Sequence, residues 1–187
     1  MRSPLPTVAH EVGADERTLR RAAGRGMVRC ARPGPRQLEL DAAEQDYLHS
    51  HWALLSALTR ALRTEPNVRL AVLHGSAARG DDRPDSDIDL LMALREDRPD
   101  AAVKLAVRLE RALGRPVDVA RLGRVEGRSP LFLLQVLEEG RVLIDRDDRW
   151  AALKARRPQV ERAARRQRQR ARRQAAESLR MLTEDVS

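Results

Sequence analysis

Cysteine, lysine and large rings are nearly absent from this sequence, and each absence closes off a class of protein. Cys30 stands alone, so neither an internal disulfide nor a cysteine-based metal cluster is available. The rings are Tyr47, Trp52, Phe132 and Trp150, an aromatic fraction of 2%, so the core has to be built from Leu, Val and Ala. No apolar run approaches the length of a membrane span, and the N-terminus lacks the apolar stretch of a signal peptide. The expectation is a soluble, cytoplasmic protein. Nothing repeats at a fixed period.

What is present is charge. Of 187 residues 34% are charged, with a formal net charge of +8 and a pI near 11.0. Lys104 and Lys154 are the only lysines; arginine supplies the rest. Such a balance suits nucleic-acid or acidic partners, although a coding bias toward Arg and Ala would give the same surplus. The length fits one domain or two small ones.

One stretch carries chemistry. Leu70-Ala71-Val72-Leu73 is an apolar run ending near Gly75-Ser76, and Ser86-Asp87-Ile88-Asp89-Leu90 follows ten residues on. The run predicts a buried strand. Gly75 permits a sharp turn and close approach of a ligand to the main chain. Ser76 is expected to cap the helical turn after it, leaving outward N–H groups suited to phosphate. On a strand Asp87 and Asp89 share a face while Ile88 and Leu90 point to a core. Paired carboxylates repel unless a cation lies between them, and hard oxygen donors suit magnesium together with substrate phosphates. Gly-Ser turns and Asp-x-Asp pairs are each common; their order and spacing here point to a nucleoside triphosphate site.

The pattern Gly75-Ser76-x-x-Arg79-Gly80, then Ser86-Asp87-x-Asp89-Leu90, resembles the signature of the DNA polymerase beta-like nucleotidyltransferase superfamily, most closely its minimal prokaryotic members. The resemblance covers residues 66–145. It implies a small mixed sheet flanked by helices, and a third carboxylate on a later strand. Asp118, in Arg115-Pro116-Val117-Asp118-Val119-Ala120, is the matching acid. It further implies two magnesium ions held by Asp87, Asp89 and Asp118, with ATP or another nucleoside triphosphate as substrate over Gly75 and Ser76. Arg79 would either neutralise the phosphates or hold the loop through nearby acids.

Residues 4–26 read as a helix-turn-helix. A short helix spans residues 7–12, Gly13-Ala14 turns, Asp15 caps, and a second helix over residues 16–23 stops at Gly24. Residues 27–30 and 37–40 are expected to pair as a hairpin with a basic tip, giving a winged helix-turn-helix-like unit. Arg17, Arg20, Arg21, Arg32 and Arg36 are its candidate DNA contacts. From Asp41 a helix runs to about residue 64, with Leu48, Leu54, Leu55, Leu58 and Leu62 as its core stripe. His49 and His51 are two apart, a poor metal pair, and Tyr47 and Trp52 are expected between two domains. A helix over residues 101–113 presents Val103, Ala106, Val107, Leu109 and Leu113. Residues 131–139 form an apolar helix and residues 141–145 a last strand. From residue 148 the chain is helical to about 183, with a kink or break at Pro158, and residues 162–173 are basic on every face.

The expected fold class is α/β (α+β): a small mixed sheet flanked by helices, preceded by the winged unit and followed by a basic C-terminal helix. The expected divisions are residues 1–40, 41–65, 66–147 and 148–187. By resemblance, the function is transfer of a nucleoside monophosphate, AMP from ATP, onto a hydroxyl of a partner protein such as a toxin. The alternatives are an antibiotic adenylyltransferase and a DNA-binding regulator with a relict transferase domain.

Overall fold

The computed structural model describes residues 1–34 and 37–184, with side chains through residue 177. Arg36, at the expected basic tip, lies outside the described residues. The chain opens with β1 (Ser3–Pro4) and α1 (Leu5–Glu11); Pro6 sits in the first helical turn, where a missing N–H leaves no bond unmade. α2 (Glu16–Arg25) starts where Asp15 accepts from the Thr18 N–H at 3.0 Å, as expected. It runs past the expected stop. Gly24 is helical, and the left-handed cap is Gly26 at φ 89°, where the N–H groups of Gly26 and Met27 close on the Ala23 and Ala22 carbonyls.

The next strand, β2 (Ala31–Gly34), begins beyond the expected residues 27–30. Met27 and Val28 are consecutive and both buried, which an alternating strand does not allow; they plug the core from a loop instead. β3 (Gln37–Leu40) is the central strand of an antiparallel sheet in the order β1-β3-β2. α3 (Ala42–Arg63) opens at Asp41, whose carboxylate accepts from the Glu44 N–H at 2.9 Å. Leu48, Leu55, Leu58 and Leu62 are fully buried, while Leu54 is half-buried.

Then come β4 (Val68–His74), α4 (Gly75–Arg79), β5 (Ile88–Leu94), α5 (Pro99–Leu113), β6 (Val117–Arg121), α6 (Leu122–Val125), α7 (Pro130–Glu139) and β7 (Arg141–Asp145). The strands form one mixed sheet, β6-β5-β4-β7. β4 is antiparallel to β5 and β7, and β5 is parallel to β6. This is the expected mixed α/β architecture. Alternation sorts the sheet: Ala71, Leu73, Leu90 and Met92 join the core with α3 and α5, and Leu70, Val72, Leu91 and Ala93 join the core with α7 and the helix after β7. α5 buries Ala102, Leu105 and Leu109. Val103 and Val107, expected in its core face, are 63% and 38% exposed; they lie on a neighbouring helical phase, and the sheet takes the stripe that includes Ala102 and Leu105.

α8 (Arg149–Ala155) and α9 (Arg157–Glu184) follow. The break falls at Arg156, so Pro158 occupies the first turn of α9 rather than its interior. α9 lies along α7, where Ala164 is buried and Val160 packs into the core. Residues 168–177 are exposed. One apolar cluster runs from Leu5, Val8 and Leu19 through α3 to Leu73, Leu90 and Leu143, so α1 and α2 share a core with the mixed sheet. Among the described residues no helix is long and apolar enough to cross a membrane.

Candidate active site

β4 delivers the chain into a turn at the edge of both cores. Gly75 has φ 71°, and a Cβ there would lie 2.2 Å from the Asp89 Oδ2. Only glycine allows that approach of main chain to carboxylate. α4 starts at Gly75 itself, preceded by His74, which makes no side-chain cap. Ser76 therefore lies inside the turn and is not the cap expected of it; its carbonyl accepts from the Gly80 N–H at 2.8 Å.

The acids sit around this turn. His74 pairs in register with Asp89 across β4 and β5, and Asp89 pairs with Asp118 across β5 and β6, so the three side chains share one face of the sheet. Asp87 precedes β5 and is exposed; it is not a strand residue, as expected of it, because β5 begins at Ile88. Its loop is fixed by Arg115, which donates to the Ser86 carbonyl at 2.7 Å and to Asp82 at 2.8 Å. Burial pushes the Asp89 carboxyl above its usual range, and Asp118 and Asp87 push the same way, while His74 and Arg79 oppose them. Burial also lowers His74, against the pull of Asp89, Glu139 and Asp118. His74 Nε2 is buried without a hydrogen-bond partner, and its ring meets Phe132 edge-on at 5.0 Å.

The oxygen donors suit magnesium in kind. Yet among the described residues no three His, Cys, Asp or Glu side chains gather closely enough to hold a metal ion. Asp89 and Asp118 are neighbours by register, and Asp87 lies in the loop just before β5.

Two functional positions were not read from the sequence. The first is Glu139, at the end of α7. Its Oε1 accepts from the Gly75 N–H at 3.1 Å and its Oε2 from Arg79 at 3.0 Å. Arg79 also donates to Asp81 at 3.2 Å. Arg79 thus meets two acids beside the turn. Glu139 lies 64 residues from Gly75, and no local pattern marks it.

The second is Arg141, buried at the start of β7. It donates to both oxygens of Glu44 at 2.6 and 2.9 Å, to the Ala78 carbonyl at 2.7 Å and to the Met27 carbonyl at 3.2 Å. Its guanidinium lies 3.4 Å over the Tyr47 ring, and the Tyr47 hydroxyl donates to the Ala77 carbonyl at 2.9 Å. The last carbonyls of α4 are thus tied to α3. Tyr47 packs from α3 against α4. A Cβ at Gly80 would press on the Tyr47 ring at 2.9 Å. A lone arginine inside an otherwise apolar strand, Arg141-Val142-Leu143-Ile144, was the available signal. Of the histidines set aside as metal ligands, His51 instead bonds Asp82 at 2.7 Å. Burial alone raises the Asp82 carboxyl, but His51 and Arg115 outweigh it and hold it below the usual range.

The turn thus sets a positive-φ glycine against Asp89 on a four-stranded mixed sheet. The Polymerase beta, Nucleotidyltransferase family profile matches residues 56–149, half of the chain, and the chain belongs to that family: it is a nucleotidyltransferase. Solved structures agree on the fold. A toxin-antitoxin with AMP-PNP is 24% identical, with TM-score 0.51, over 68% of this chain and 98% of that one. One mutant of the toxin-antitoxin MntA-HpeT is 23% identical, with TM-score 0.51 and the same coverage. Another mutant of that pair is 25% identical, with TM-score 0.50, over 67% of this chain and 96% of that one. No curated protein matches the chain by sequence.

Proposed function

We propose that this nucleotidyltransferase moves AMP from ATP onto a hydroxyl of a partner protein, as the antitoxin of a toxin-antitoxin pair. The observation that carries the nucleotide half is the Glu139 carboxylate bonded by the Gly75 N–H and Arg79: donors that hold a carboxylate suit phosphate oxygens. The partner half rests on likeness to a toxin-antitoxin chain at 25% identity.

In this reading the triphosphate lies over Gly75 and Ser76 and takes the Gly75 N–H and Arg79 from Glu139. Asp87, Asp89 and Asp118 would hold magnesium, two ions in the reading of the sequence, which supplies charge neutralisation at the phosphates when bound. The acceptor hydroxyl loses its proton to Asp118 and attacks the α-phosphorus in line; a P–O bond to the acceptor forms, and the bond to pyrophosphate breaks. Arg141 and Tyr47 act indirectly, by fixing the carbonyls of the turn that presents Gly75.

A second reading, DNA binding through residues 1–40, draws on Arg17, Arg20, Arg21 and Arg32, all exposed. Arg20 already bonds Glu16 at 2.7 Å, which weakens it.

The test is transfer of α-phosphate label from ATP in magnesium to proteins of a host extract and to the product of the neighbouring gene. A labelled protein band lost in Asp87→Asn/Asp89→Asn supports the proposal. Label confined to RNA or a small molecule overturns the acceptor class, and label retained in the double variant overturns the assignment of the acids.

A further inference from the structure

The net charge of this protein is not spread over it. Residues 162–173 hold seven arginines and no acid, while the other 175 residues carry 29 cations against 28 acids. A compositional bias toward arginine would scatter the surplus. Here it is concentrated in twelve residues of one helix.

The structure shows the same division. In the body, arginines meet carboxylates: Arg79 with Glu139, Arg115 with Asp82, Arg141 with Glu44, Arg156 with Glu126. In α9 the series ends with Arg157 and Glu161 at 2.8 Å. Among the described residues no arginine from 162 to 173 makes an ion pair. Several stand one turn apart, such as Arg162, Arg166 and Arg170, and like charges at that spacing destabilise a helix. Arg166 and Arg170 also meet Arg128 around a groove of about 370 Å³, whose other lining residues are Gly127, Pro130, Ala163 and Gln167. Three arginines with no acid among the lining residues make the groove a seat for an anion.

The surroundings decide which polyanion. A membrane-surface helix needs an apolar face, and a protein interface needs aromatic or large aliphatic anchors. Besides arginine, residues 161–177 contain only Ala, Gln and Glu. A phosphodiester backbone needs neither; it asks for positive charge and planar donors that reach two oxygens at once.

We infer that α9 is a nucleic-acid-binding arm that grips the phosphate backbone, with Arg128, Arg166 and Arg170 as its phosphate seat. No ring lies in the arm for bases to stack on, so binding is independent of sequence. The groove shares no lining residue with the candidate transfer site, and its test does not depend on transfer.

The experiment is fluorescence anisotropy of the full chain with a labelled single-stranded 20-mer RNA, the same sequence as DNA, and its duplex, from 50 to 200 mM salt. Binding is expected to weaken steeply with salt. Arg128→Gln/Arg166→Gln/Arg170→Gln is expected to reduce affinity at least tenfold and to flatten the log–log salt slope by about 2 for a single strand, from about 0.7 per phosphate contact. Arg17→Gln/Arg20→Gln/Arg21→Gln, which removes the same number of charges from α2, should bind as the unaltered chain does. Circular dichroism melts that superimpose show that each variant is folded. Which of the three probes binds tightest identifies the nucleic acid. Undiminished binding by the α9 variant, loss in the α2 variant instead, equal binding of polyglutamate, or no binding at 50 mM salt each overturns the inference.

Discussion

The turn Gly75–Arg79 is held by charge on two sides, and the two sides differ in kind. Behind it, Arg141 and Glu44 are buried, with side chains 2% and 4% exposed, and each side-chain nitrogen of Arg141 makes a bond. In front, Arg79 is 41% exposed and reaches Glu139 and Asp81 with single bonds. A buried, multiply bonded pair is fixed, because breaking it leaves a charge out of water. A half-exposed pair exchanges readily with solvent or a competing anion. The rear network therefore positions the turn, and the front one is the part a ligand can replace.

The largest effect should come from the rear. Arg141→Ala leaves Glu44 buried without its partner, and thermal or urea denaturation should register a loss of about 3–5 kcal/mol. An Arg141→Met/Glu44→Leu double variant should recover much of it; if it does not, the network is less self-contained than its geometry indicates. Next comes Gly75→Ala. Its Cβ would overlap Asp89 at a positive φ, so transfer should fall by about 10²-fold or more, as for displacement of reacting groups by an ångström, measured by label transfer at saturating ATP. Activity near that of the unaltered chain would remove the glycine from the site.

Third is Tyr47, the sole tyrosine. Burial, with Glu44 and Asp82, raises its hydroxyl to about 12, against the pull of Arg141. The folded protein then keeps a proton that the unfolded chain gives up near pH 10, so this contribution to stability is complete below pH 10 and is lost as pH rises toward 12. Tyrosinate absorbance should titrate near 12 in the folded protein. A midpoint near 10 would mean that the rear network is open to water. The smallest effect belongs to the front. Glu139→Gln weakens its hold on Arg79 and Gly75, so ATP should bind up to a few-fold tighter in calorimetry. Stability should change by about 0–1 kcal/mol, as for exposed pairs. Weaker binding would make Glu139 a support for the turn rather than a stand-in for phosphate.

This contrast also separates what sequence could reveal from what it could not. Gly75, Asp87, Asp89 and the apolar strand lie close in the chain, and their spacing is itself the signal. Asp118 was reachable as the acid of a later strand, though only the β5–β6 register sets it beside Asp89. Glu139 and Arg141 straddle the glycine that ends α7. Their partners lie 64 and 97 residues away, and no local period encodes such pairings. The exposed Val103 and the plugging Met27 failed for a related reason: apolar residues were available in more than one phase, and tertiary packing chose among them.

The Arg141–Glu44 bond has one more consequence, for inheritance. The two halves of this lock lie on opposite sides of the glycine turn in the sequence, one in α3 and one in β7. A recombinant that exchanged residues 1–64 with a relative would keep Asp87, Asp89, Asp118 and the glycine turn. It would still be crippled unless the incoming segment brought a carboxylate to meet Arg141. The N-terminal segment is thus not a cassette that can be traded freely, because part of the frame beneath the active site travels with it.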